Sequence, residues 1–190
     1  HIGSVSSSGS LTLKTMGGVG KNIYLGTATS GTSSVATVDS SGAIYDDNGS
    51  AVNISAADIY LTSVYGGTAG GLAISMDVSH TGGTGSITAS VTGGSNGGIS
   101  VRNSGTALEG INLQSNASAG NTISFYSSTA LDLGGFSTFT GTGSDILVAS
   151  GSNLDFTSGT FTPTGSILLA AGGNLSFAGG LSKPSNSLGL

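Results

Sequence analysis

The residues of this chain with the most obvious capacity for chemistry are its nine acids: Asp39, Asp46, Asp47, Asp58, Asp77, Glu109, Asp132, Asp145 and Asp155. Enzymes that cut glycans place two carboxylates across the scissile bond, usually with Arg or Lys beside them. Asp132 and Asp155, centred in "LDL" and "LDF", are the one acidic pair at equivalent positions of a repeat. Stacked on adjacent coils, they would form a pair able to hold a cation or share a proton. No basic residue aligns with them, so solvated surface is the expected role. "YDDNGS", residues 45–50, crowds oxygen ligands ahead of a Gly, as calcium loops do. It lacks the alternating Asp spacing and closing Glu of an EF-hand, and an Asx turn is the expected use of Asp46 and Asp47. His1 and His80 are too few and too far apart in sequence for a metal site or a triad. No nucleophile elbow, phosphate loop or dinucleotide fingerprint is set between a strand and a helix. The expectation is a protein that is not an enzyme, with no catalytic, cofactor-binding or metal-ligating residue.

Composition agrees with that expectation. Charged residues make up 7% of 190, 35 residues are Gly, and the net charge is −5, against about a quarter charged in ordinary globular domains. The four basic residues, Lys14, Lys21, Arg102 and Lys183, are too scattered to track phosphates, so nucleic acid is not an expected partner. No cysteine is present, which excludes a disulfide scaffold and thiolate metal sites. The longest apolar run, residues 167–171, is far short of the roughly 20 residues that span a bilayer. Disorder is not expected, because 36% of the residues are hydrophobic and only two are Pro.

What must position any site is a repeat. Residues 145–165, "DILVASGSNLDFTSGTFTPTG", and residues 166–186, "SILLAAGGNLSFAGGLSKPSN", agree at nine of 21 positions without a gap. Apolar-x-apolar triplets between Gly, Ser and Asn turns recur along the chain and read as short strands with one buried side. One ladder runs Ile74, Ile99, Ile123, Ile146, Ile167, at intervals of 25, 24, 23 and 21; a second runs Leu108, Leu131, Leu154, Leu175. A period of 21–25 residues is too short for a propeller blade and lacks the helical half of an ankyrin or leucine-rich repeat. It fits one turn of an all-β parallel solenoid, of about eight to nine coils and roughly 40 Å in length. Residues 50–65 also carry apolar residues at helical spacing, but Val52-x-Ile54 and Ile59-x-Leu61 favour two strands around a corner at residues 55–58. The "TGTGSD" segment, residues 140–145, is expected to bulge outward.

"GAIYDDNGSAVNISAADIYLTSVYGG", residues 42–67, resembles the repeats of filamentous-haemagglutinin-like large bacterial exoproteins. There, Gly-x-Ile-x-Asp precedes a Gly-rich turn, followed by Asn-Ile-x-Ala and a hydrophobic-x-Leu strand. "HIGSVSSSGSLTLKT" and "GSDILVASGSNLDF" are similar to other coils of that family. The resemblance implies a right-handed parallel β-helix in a secreted or surface-displayed adhesin or fibre, with a glycan or cell-surface target. Asn153 and Asn174 are expected to stack along the solenoid axis. The Thr-x-Thr pairs at Thr27/Thr29, Thr138/Thr140 and Thr160/Thr162 suggest an alternative, an outward Thr array for ice or another crystal surface. The four Asn-x-Ser sequons are no more than so Ser-rich a chain gives by chance. One period beyond Ile167 falls on Leu188, so Leu188 and Leu190 are expected to begin another strand. That strand is expected to pair with a coil of the continuing chain or with the N-terminal coil of an identical unit. The 190 residues accordingly read as one solenoid segment, an excerpt or repeat unit of a longer fibre without end caps.

Overall fold

The computed structural model describes residues 1–190 apart from 67–71, 83–84, 95–96, 117–120, 135–136, 142–144, 159, 164, 179–187 and 190. Its strands are β1 (Ile2–Ser6), β2 (Leu11–Lys14), β3 (Ile23–Thr29), β4 (Val35–Ser40), β5 (Ile44–Asp46), β6 (Ile54–Ala56) and β7 (Asp58–Ser63). They continue with β8 (Leu72–His80), β9 (Ser86–Val91), β10 (Gly98–Asn103), β11 (Gly110–Ser115), β12 (Thr122–Ser127), β13 (Leu131–Leu133) and β14 (Thr138–Gly141). The last are β15 (Asp145–Ser150), β16 (Leu154–Phe156), β17 (Thr160–Pro163), β18 (Ile167–Ala171), β19 (Leu175–Phe177) and β20 (Leu188–Gly189). No helix occurs among the described residues, so the two-strand reading of residues 50–65 holds, with the corner at Ala57.

The strands stack into three parallel sheets. The first follows the path β1-β3-β5-β8-β10-β12-β15-β18-β20, with β6 between β3 and β8; the second runs β2-β4-β7-β9-β11-β14-β17; the third is β13-β16-β19. β5 and β6 form one rung interrupted by a turn, since both pair with β3 and with β8. This is the β-solenoid expected from the repeat. Its coil count is slightly lower than the eight to nine expected: the seven strands of the second sheet are separated by six steps, so about six turns are carried by both long sheets. The difference arises because the coils are unequal, with 30 residues separating Ile44 from its ladder partner Ile74.

Register follows the hydrophobic pattern. Ile74, Ile99, Ile123, Ile146 and Ile167 pair in sequence along the first sheet and are all buried. A shift of one residue would turn that whole row to solvent, which is what fixes the register. Leu131, Leu154 and Leu175 likewise stack in the third sheet. Leu108 is a correction: it is buried in the core but precedes β11 outside any strand, and β13 pairs only with β16. Phe139 stacks on Phe161 with ring centroids 4.9 Å apart, and Phe156 leans on Phe161 at 5.4 Å. Where an inward position at a corner is polar, its hydroxyl satisfies backbone of a neighbouring coil. Ser40 Oγ donates to the carbonyl of Lys21, Ser63 Oγ to that of Gly42, and Ser150 Oγ to that of Thr129. Bonds of this kind let the chain turn inside a dry core without stranding polar groups.

Candidate functional site

The acidic pair singled out in the sequence does stack: Asp132 pairs with Asp155, and Asp155 with Ser176. Each carboxylate is occupied by the next coil. Thr157 Oγ1 donates to Asp132 Oδ1 at 3.0 Å, and Ser176 Oγ donates to Asp155 Oδ1. Asp46 closes an Asx turn, its Oδ1 accepting from the Asn48 N–H and from Asn53 Nδ2, each at 2.8 Å. Gly49, at φ 73°, lets the backbone turn back at this bulge. Asp47 Oδ2 lies 2.8 Å from His1 Nδ1, whose ring stacks on Tyr24. No group of three or more His, Asp or Glu side chains that could hold a metal occurs among the described residues. Asn153 and Asn174 touch, though through the Asn174 N–H donating to Asn153 Oδ1 rather than amide to amide.

The Thr-x-Thr segments divide between two sheets. Thr27 and Thr29 lie on β3 of the first sheet, while Thr138/Thr160 and Thr140/Thr162 pair in the second. Thr162 Oγ1 donates to Thr140 Oγ1 at 2.8 Å. One outward column of the second sheet reads Thr12, Thr37, Tyr60, Thr88, Asn112, Thr138, Thr160, and its neighbour reads Lys14, Asp39, Thr62, Ser90, Gln114, Thr140, Thr162. Only β14 and β17 present Thr at both positions. The face is therefore less a Thr lattice than a strip of hydroxyls and amides, uncharged over its last five rungs.

Two sites emerge that the sequence did not single out. On the second sheet, an outward column runs Val35, Asp58, Ser86, Gly110. Gly110 contributes no side chain to it, and the gap opens into a cleft of about 440 Å³ lined by Asp58, Ser86, Thr88, Glu109, Gly110 and Asn112. Asp58 is fixed in place, its Oδ1 accepting from the Ser86 N–H at 2.9 Å and from the Ser86 hydroxyl at 3.0 Å. Glu109 is exposed, and its backbone N–H donates to the Gly85 carbonyl. Tyr60, 40% exposed, stands beside Thr88 in the adjoining column. No Lys or Arg is within ion-pair distance of Asp58 or Glu109 among the described residues.

The second site is on the first sheet, where Asp77, Arg102 and Tyr126 occupy one outward column. The Arg102 guanidinium lies 5.7 Å from the Tyr126 ring centroid, and its Nε is 3.8 Å from Asp77 Oδ1. Burial pushes the Asp77 carboxyl above its usual value, Arg102 pulls it back down, and Asp46 adds a smaller push upward. Here the one arginine has its charge shared between a carboxylate and an aromatic face, which suits a structural brace.

Both sites escaped the sequence reading because their columns are polar and spaced by unequal coils. The 28 residues from Asp58 to Ser86 and 24 from Ser86 to Gly110 would have aligned them. The apolar ladder Ile59, Ile87, Ile111 one position further on carries that same spacing. No family model, curated protein or solved structure matches this chain.

Proposed function

We propose that this chain is a shaft segment of a bacterial extracellular or cell-surface fibre, with mechanical and adhesive work rather than catalysis. The observation that carries the reading is the unbroken stacking of like residues along two long parallel sheets, with a weakly charged exterior of Ser, Thr and Gly. Such a stack resists bending because every coil shares its backbone hydrogen bonds with the coils on either side. Paired or solvated acids, with no group of several acids and bases converging, favour a scaffold over an enzyme.

The same ladder can be extended. β20 places Leu188 opposite Ile167; Leu190 lies outside the described residues. We assign the next rung to the continuing chain or to the first coil of a second copy, around β1 and β2. Parallel strand edges are templates for this kind of pairing. Light scattering over a wide concentration range, with electron microscopy of the same samples, tests it. Rods that lengthen with concentration at constant width are expected. A monomer at every concentration would overturn the stacking between copies. The proposal also expects no new reducing ends or unsaturated products from a panel of acidic and neutral polysaccharides. Turnover lost in Asp132→Asn or Asp155→Asn would restore the enzyme.

A further inference from the structure

We propose that the cleft on the second sheet binds a protonated amino-sugar unit of an extended polysaccharide, held between Asp58 and Glu109. This deepens the adhesive part of the function proposed above and depends on it only for where the ligand is met.

Charge is the first argument. The cleft carries two carboxylates with no cationic partner among the described residues, on a chain of net charge −5. A neutral ligand covering them would strip their water without replacing it, which is costly. An ammonium group offers three donors and the opposite charge. Asp58 is ready to receive one: Ser86 occupies Oδ1 with two hydrogen bonds and holds the carboxylate still, leaving Oδ2 for a ligand.

The surroundings suit a sugar rather than a bare ion. A divalent cation needs a fuller ligand set than two carboxylates two rungs apart, and no third acid or His joins them among the described residues. Tyr60 presents a half-exposed ring beside the cleft, an apolar platform with a polar tip. Asn112 and Thr88 add donors and acceptors for ring hydroxyls. Beyond the cleft, Thr138 and Thr160 continue the Asn112 column at the spacing of the rungs, roughly 4.8 Å. A polymer lying along the axis therefore meets a new hydrogen-bonding side chain at every coil.

Titration calorimetry of the intact chain at mildly acidic pH, with glucosamine hexamer, N-acetylglucosamine hexamer, cellohexaose and spermine, tests the assignment. Glucosamine hexamer is expected to bind at least about tenfold more tightly than the two uncharged hexamers. Asp58→Asn and Glu109→Gln should each weaken it by about tenfold or more, and Tyr60→Ala should weaken it as well. Thermal midpoints should stay near wild type, most securely in Glu109→Gln, whose side chain is exposed. Equal affinity for cellohexaose or N-acetylglucosamine hexamer would overturn the charge assignment, and equal affinity for spermine would reduce the site to ion attraction. Binding unchanged in both carboxylate variants, or absent altogether, would overturn the site. Rods without binding would sink only this inference; binding without rods would sink only the shaft.

Discussion

At the scale of single residues, Asn53 shows what the sequence could not disclose. It reads as part of an Asn-Ile-x-Ala motif and as a glycosylation sequon, yet it is fully buried. Its Nδ2 donates to the carbonyls of Leu25 and Gly26, and its Oδ1 accepts from the Asp77 N–H, so one amide ties together three coils. The motif was legible, but its purpose lies in neighbours 24 to 28 residues away. Asp77 sits in the same corner and has a measurable signature. Burial raises its folded pKa above the ordinary 3.8, so the native state holds this proton more tightly than the unfolded chain does. Its contribution to stability is therefore most favourable at or below 3.8 and declines as pH rises through the folded pKa, levelling off above it. Urea unfolding of wild type and Asp77→Asn across that window should show wild type losing ground to the variant as pH increases. A difference that stayed flat or moved the other way would contradict the burial.

Among the elements, apolar-x-apolar triplets marked most of the strands, and Ile99, Ile123, Ile146 and Ile167 stack as their spacing requires. The strands less easily read share a cause. β4 and β9 put Ala into inward positions, as Ala36 and Ala89, while β14 and β17 bury one Phe each between Thr residues. Small or solitary inward residues give weak alternation, and the register is supplied by the coils above and below. Close approach between coils also explains one class of glycine. A Cβ at Gly105 would collide with the backbone N and O of His80, whereas one at Gly9 would point into open space. Gly105→Ala should lower unfolding free energy by about 1–3 kcal/mol, the usual cost of overpacking. Gly9→Ala should stay within about 0.5 kcal/mol of wild type. Equal midpoints for the two variants in chemical denaturation would refute the inter-coil contact.

At the scale of the whole molecule, the architecture was far more legible than its binding surface. A solenoid repeats its core in sequence, so Ile ladders announce it; a docking cleft is formed once, where Gly110 interrupts a polar column. Composition pointed correctly to an all-β repeat because few charges and many small residues suit tight stacking. The position of Asp58 and Glu109 on one face became visible only when coils of different length were laid side by side. Coil length itself was underestimated at the N-terminal half, where the turn at residues 47–53 splits one rung into β5 and β6.

The unequal coils give the molecule a direction that a uniform repeat would not have. Successive ladder partners in the first sheet lie 30 residues apart from Ile44 to Ile74, then 25 to Ile99, 24 to Ile123, 23 to Ile146, and 21 to Ile167 and again to Leu188. If the rod is held by its ends and pulled, coils peel away one at a time, and each releases slack set by its own length. At about 3.5 Å per extended residue, the longest coil pays out roughly 105 Å and the shortest about 75 Å. Single-molecule force spectroscopy should therefore record a graded series of extension steps, so that the size of each step identifies the coil that has just given way.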